Sequence, residues 1–244
     1  MHRFFIDSAP DAEGICFLSP EDARHAVTVL RLKPGQHIEA VLDGVLRDAE
    51  IISADPRDVR VRLLSELPSR EPALSVTLFQ GLPKADKMDL IVQKATELGV
   101  SRIVPLVMNR CVARPDQKDI SRKLERWNRI AREAGKQSGR CVIPEVTEPL
   151  SLRNLPQFSS LPDTGVVLWE EAGSYGPLSF RNDHDSPGSL GIVIGPEGGI
   201  EKEEVDLLSE AGFIPLTLGK RILRTETAGL AALAAFMSLY GEME

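Results

Sequence analysis

From Ala73 to the C-terminus, short apolar runs alternate with segments whose apolar residues recur at helical spacing. This rhythm constrains the fold more than any other feature. Strands interleaved with helices specify an α/β domain built on a parallel sheet. Residues 166–169 and 190–194 are apolar almost throughout, as strands buried on both faces are; a strand with one wet face would alternate. Further strands are predicted over 76–79, 102–107, 142–146 and 214–218. Helices are predicted over 86–98, 121–135, 201–211 and 225–240. In the first of these, Met88, Ile91, Val92, Ala95 and Leu98 share one face, and Gly99 stands just past the helix end.

Before Ala73 the pattern changes. Residues 3–6, 15–18, 37–42, 45–53 and 59–64 read as short strands, with Asp43-Gly44 as a hairpin turn. Ser19-Pro20-Glu21-Asp22 has the chemistry of a helix start, and that helix is predicted to run to residue 30. Residues 67–72 carry two prolines and no periodicity, which marks a boundary. The 244-residue chain is therefore expected to hold a small β-barrel over 1–72 and an α/β domain over 73–244.

Composition excludes several classes. Cys16, Cys111 and Cys141 are odd in number and widely spaced, so neither a disulfide framework nor a zinc site is expected. They read as thiols of a reducing, cytoplasmic compartment. The apolar run at residues 4–6 is too short for a signal peptide. The longest apolar stretch, 228–240, falls short of the ~20 residues a bilayer span needs, so no membrane partner is expected. There is no G-x-G-x-x-G after a strand, no G-x-x-x-x-G-K-[ST] and no G-x-S-x-G. His2, His25, His37 and His184 do not pair at ligand spacing. Metal, ATP and nucleophilic-triad chemistry are all unexpected.

Three segments remain informative. Ile194-Gly195-Pro196-Glu197-Gly198-Gly199-Ile200 joins an apolar strand to a helix. Its glycines permit positive φ and close backbone approach, at the sheet edge where α/β proteins bind ligands; a plain tight turn would use the same residues. Residues 218–229, from Leu218 and Gly219 through Ile222, Leu223 and Arg224, also follow a strand and open a helix. They suit either a flat pocket for a purine ring or a simple cap on the sheet. The third segment is basic. The chain has a net charge of −7, but residues 102–140 hold 11 basic against 4 acidic residues. Such an island is either a polyanion footprint or a solvated helical face balanced by acids elsewhere.

Together, in this order, the segments resemble the bacterial 16S ribosomal RNA (uracil-N3)-methyltransferases of the SPOUT class. The resemblance extends over the whole chain. Met1-His2-Arg3-Phe4-Phe5 and residues 25–31 fit that family's small RNA-binding barrel. Lys84-Ala85-Asp86-Lys87-Met88, Gln137-Ser138-Gly139-Arg140, the 195–199 loop and the 218–228 loop fit its catalytic domain.

The resemblance implies a PUA- or OB-like barrel followed by a parallel-sheet domain with a deep trefoil knot. It implies S-adenosylmethionine as cofactor, held by Leu168, Glu170, Ile194, Gly195, Gly199, Leu218, Gly219, Ile222 and Leu223. It implies a homodimer acting on the small ribosomal subunit. Where the family commonly has Glu, this chain has Lys136, so Arg140 is the safer candidate there. The methylated uridine must lose its N3 proton. Arg224 and Arg140 are the candidates to stabilise the resulting anion, and Glu197 either accepts the proton or only holds its loop. Arg3, Arg31, Lys84, Lys87, Arg110, Arg114, Lys136 and Arg140 are the expected RNA contacts. The alternatives are a SPOUT methyltransferase acting on transfer RNA, or a non-catalytic RNA-binding protein of this fold.

Overall fold

The computed structural model describes residues 2–112 and 117–243. The chain divides into two compact units. One comprises Met1–Glu71 with Lys136–Val142, and the other Pro72–Gly135 with Ile143–Glu244.

The first unit contains β1 (Arg3–Phe5), β2 (Ile15–Phe17), α1 (Pro20–Arg24), β3 (His37–Leu42), β4 (Val45–Asp55) and β5 (Asp58–Glu66). Their order in the sheet is β1-β3-β4-β5-β2. β1 and β3 run parallel and the other pairs antiparallel. The pairing of β4 with β5 is irregular between Arg47 and Ala49 and between Ile51 and Ser53, which bends a long strand around its core. Phe4, Cys16, Ala26, Ile38, Ile51 and Val61 fill that core.

Ser19 caps α1 as predicted, accepting from the Asp22 N–H at 3.1 Å. The single helix expected to residue 30 changes character instead. After Arg24 the chain widens into a π-helical turn over His25–Val29, with the Leu30 N–H bonded to the His25 carbonyl at 3.0 Å.

The 136–142 segment is held in this unit by Glu71. Its carboxylate accepts from Arg140 Nε at 3.0 Å, Arg140 Nη2 at 2.6 Å, the Cys141 N–H at 2.5 Å and the Val142 N–H at 3.1 Å. Burial alone would raise the Glu71 pKa. The bonds from Arg140 and the two backbone N–H groups outweigh it and hold the carboxyl below its ordinary range. These bonds also correct the strand predicted over 142–146. The N–H groups of Cys141 and Val142 face a carboxylate rather than a neighbouring strand, and pairing begins only at β8 (Glu145–Val146).

The second unit carries β6 (Ser75–Gly81), α2 (Lys87–Glu97), β7 (Arg102–Val107), α3 (Gln117–Ser138), β8, β9 (Leu150–Ser151), β10 (Thr164–Leu168), α4 (Pro177–Asp183), β11 (Ser189–Ile194), α5 (Lys202–Glu210), β12 (Phe213–Leu216) and α6 (Thr225–Leu239). The sheet order is β12-β10-β11-β6-β7-β8, with β9 also on β7, and every pair is parallel. Phe79, wholly buried, meets Phe158 and Phe213 edge to face at centroid distances of 5.9 and 5.7 Å. Burying a side chain of that kind contributes about 1.5–3 kcal/mol.

α3 outruns its predicted bounds of 121–135 at its C-terminal end as well as its start. The predicted strand over 214–218 ends at Leu216, because the Thr217 N–H bonds to the Tyr175 carbonyl at 2.9 Å. β10, β11 and β12 are neighbours and point the same way. The loops that leave Leu168, Ile194 and Leu216 therefore emerge from one edge of the sheet.

Candidate active site

Those three loops enclose a cleft of about 530 Å³. Leu168, Trp169 and Glu170 come from the first loop, Ile194 through Ile200 from the second, and Ile222, Leu223 and Arg224 from the third. Lys87, Thr225 and Ala228 complete the lining. The volume is in the range of small-molecule sites, and the mix of apolar wall with a few convergent polar groups is typical of them. Gly199 adopts φ 77°, the conformation the glycine-rich sequence anticipates.

Seven of the nine residues expected to hold a cofactor line this cleft: Leu168, Glu170, Ile194, Gly195, Gly199, Ile222 and Leu223. Leu218 and Gly219 are not among its lining residues. Leu218 packs on the core, and the Gly219 N–H donates to Thr217 Oγ1 at 3.2 Å. Arg224 and Glu197 line the cleft; Arg140, buried against Glu71 in the other unit, is not among the lining residues.

Glu197 is a restrained anion. It accepts from the Lys84 N–H at 3.1 and 3.3 Å and from Lys87 Nζ at 2.9 Å. Burial pushes its pKa up, but the bonds from Lys87, its own backbone N–H and Lys84 leave it below the ordinary value. Lys87 also reaches Glu226 at 3.0 Å. The two carboxylates hold its ammonium above its usual range. One lysine at the start of α2 thus ties the glycine loop to the first turn of α6.

Thr225 adds a neutral tie. Its hydroxyl donates to the Gly195 carbonyl at 2.6 Å and accepts from Gln80 Nε2 at 2.8 Å. Sequence reasoning missed Gln80 and Glu226. A buried amide at the end of the largely apolar β6 run was the available signal for the former.

Arg224 sits at the N-cap of α6 and is exposed. Among the described residues no carboxylate lies within ion-pair distance of it.

The expected RNA contacts divide sharply. Arg3, with its side chain 5% exposed, pairs with Glu39 at 2.6 Å and donates to the Gly139 carbonyl. Lys136 pairs with Asp22 at 2.9 Å. Arg140 is 7% exposed against Glu71. Arg31, at φ 55°, and Lys84 are exposed. Lys87 is bound between Glu197 and Glu226, and Arg110 bonds to Gly198 and Glu201. Arg114 lies outside the described residues. Further along the basic island, Arg102 pairs with Glu145, Arg122 with Asp119, and Arg126 with Asp86 and Asp89.

Among the described residues no cluster of His, Cys, Asp and Glu could hold a metal, and no helix is long and apolar enough to cross a membrane.

Fold and cleft define an α/β protein with a cleft framed by three loops at the carboxyl edge of a parallel sheet. Residues 70–237 match the RNA methyltransferase domain family, and residues 18–64 match the RNA methyltransferase PUA domain. The ribosomal RNA small subunit methyltransferase E of Bacillus subtilis is 36% identical, over 96% of this chain and 95% of its own. The Mycobacterium tuberculosis protein of that name is 34% identical, over 95% of this chain and 89% of its own. A crystal structure of the Neisseria gonorrhoeae protein of that name, bound to S-adenosyl methionine, superposes with TM-score 0.84 at 32% identity over all of both chains. A putative methyltransferase of Legionella pneumophila, in complex with the cofactor SAM, matches with TM-score 0.82 at 33% identity, over 97% of this chain and 96% of that one. The chain belongs to the RNA methyltransferase family, in the group of the ribosomal RNA small subunit methyltransferase E proteins.

Proposed function

We propose that this protein is an S-adenosylmethionine-dependent methyltransferase that modifies N3 of a uridine in the 16S RNA of the small ribosomal subunit. The observation that carries this reading is the cleft itself. Its three loops leave adjacent parallel strands at one edge and bring apolar walls, glycine backbone and an exposed arginine, Arg224, together.

The residues present fit the cofactor. Leu168, Ile194, Ile222 and Leu223 offer apolar surface to a purine ring, and backbone groups of the glycine loop can read its edge. Glu170 is an exposed carboxylate at the rim, placed for ribose hydroxyls. When bound, S-adenosylmethionine supplies the methyl group from its sulfonium.

Arg224 is assigned to the uracil carbonyls, where its cation stabilises the charge left when the N3 proton passes to solvent water. Glu197 is assigned to loop support rather than proton removal. Three donors already hold its charge, and a carboxylate with a lowered pKa is a weak base. Arg140 is taken out of the catalytic set, since it is buried and Glu71 Oε2 accepts from both Nε and Nη2 along one edge of its guanidinium.

The target base must be presented unstacked. Arg31 and Lys84 are assigned to phosphate contact, and the N-terminal unit to RNA binding. A trefoil knot is part of the same reading. It is supported by a path that runs from β11 past β10 to β12 and then returns to α6, which packs on β11 and β6. A homodimer is supported by the half-exposed Leu230, Ala231, Ala234 and Ala235 on α6. A cytoplasmic site of action follows from the substrate.

The test is transfer of a tritiated methyl group to undermethylated small subunits, to free 16S RNA and to transfer RNA. Labelling of a small-subunit uridine at N3 is the expected result. Labelling of transfer RNA alone would move the substrate. Cofactor binding without transfer to any RNA would leave a binding protein.

A further inference from the structure

Arg110 lies in the basic island and carries the charge of a phosphate contact, yet its surroundings are those of a brace. Its Nη1 donates to the Gly198 carbonyl at 3.0 Å, and its Nε lies 3.3 Å from Glu201 Oε1. The side chain is 47% exposed, so this geometry is chosen over full solvation. The neighbouring Asn109 repeats the pattern. Its N–H donates to Glu204 Oε1 at 2.8 Å and its amide to Glu201 Oε2 at 2.8 Å. Glu201 and Glu204 are the capping box of α5, the helix that begins where the glycine loop ends. The Asn109 bond, opposed by some burial and aided by Arg110, lowers the Glu201 pKa and keeps it an acceptor.

Packing tells the same story. A Cβ on Gly198 would stand 2.8 Å from the Arg110 Cβ, closer than real Cβ atoms come. The loop after β7 and the second cofactor loop are therefore pressed together, with a glycine where they touch and four hydrogen bonds around the contact.

Accepting the cofactor assignment of the cleft, we infer that Arg110, with Asn109, is a positioning residue that fixes the 195–199 loop in its ligand-binding shape, and is not a phosphate contact. Only a planar, forked guanidinium reaches the Gly198 carbonyl and Glu201 at once; a lysine ammonium is a point charge on a flexible stem. A phosphate contact, by contrast, tolerates lysine.

The experiment compares Arg110→Met, Arg110→Lys and Asn109→Ala with the wild-type protein. Calorimetry and steady-state kinetics report on S-adenosylmethionine, and RNA binding is measured as a function of salt. Loss of a hydrogen bond to a charged group predicts a cofactor KM raised about tenfold in both Arg110 variants. Asn109→Ala shifts KM the same way. kcat at saturating cofactor stays within about twofold, and the slope of log K for RNA against log salt is unchanged.

The inference is overturned if cofactor KM is unmoved in Arg110→Met and Asn109→Ala. It is equally overturned if Arg110→Lys restores it, or if the salt slope in Arg110→Met falls by the roughly 0.7–0.9 expected per lost phosphate contact. Asn109→Ala carries the test if Arg110→Met fails to fold. Absence of cofactor binding in the wild-type protein would sink the functional reading, and this inference with it.

Discussion

Two arginines in this protein carry the same group to opposite ends. Arg140 is 7% exposed in the N-terminal unit, with one edge of its guanidinium, Nε and Nη2, on Glu71. Arg224 stands exposed in the cleft of the other unit, with no carboxylate in ion-pair distance among the described residues. A guanidinium whose counter-charge is built into the protein orders the chain. One with no carboxylate in ion-pair distance among the described residues can meet a charge that arrives with the substrate, the role proposed for Arg224. Neither role is visible in the residue type, and both residues precede or follow motifs of equal apparent weight.

The largest expected effect is on stability. Arg140→Met leaves the half-buried Glu71 without its cation; breaking a fully buried pair costs about 3–5 kcal/mol, which bounds the loss from above. Chemical denaturation measures it, and a loss under about 1 kcal/mol would erase the contrast with Arg224.

Arg224→Ala should do the reverse. Stability and cofactor affinity stay near wild type, while methyl transfer falls by about 10²–10³, the cost of removing one charge-stabilising donor. Full activity in that variant would end its assignment.

A third test uses pH. The Glu71 pKa is lowered from its ordinary 4.5 in the folded state. The stability this group contributes is fully present above that ordinary value and is lost as pH falls through the lowered one. Glu71→Gln should therefore show lower stability near neutrality and a flatter decline in acid than wild type. Identical acid curves would show that Glu71 does not hold the 136–142 segment.

The smallest effect separates outward from inward cations. Arg31→Glu or Lys84→Glu should make the salt dependence of RNA binding shallower by about 0.7–0.9. Arg3→Met, whose partner is Glu39, should leave that slope alone even where it weakens the fold.

Much of the second unit was legible because its signals are local. Apolar strands, the helical stripe of Met88, Ile91, Val92 and Ala95, and the glycine loop each declare themselves within a dozen residues. α4 was not legible. Its seven residues contain one buried anchor, Phe180, which packs edge to face on Phe236 at 5.5 Å, a contact that no period reveals. Gln80 was hidden for a related reason, since its partner Thr225 lies 145 positions away.

By itself, then, the sequence determined the parallel α/β rhythm, the small β-rich unit before it, and the loops that line the cleft. Periodicity and turn chemistry act over short stretches of chain. Only the tertiary structure decided which cations meet solvent. The +7 of residues 102–140 counts Arg110, Lys136 and Arg140 alike, but each meets a carboxylate from elsewhere in the chain: Glu201, Asp22 and Glu71. Charge is a property of the residue. Whether that charge is already neutralised is a property of distance, and distance belongs to the fold.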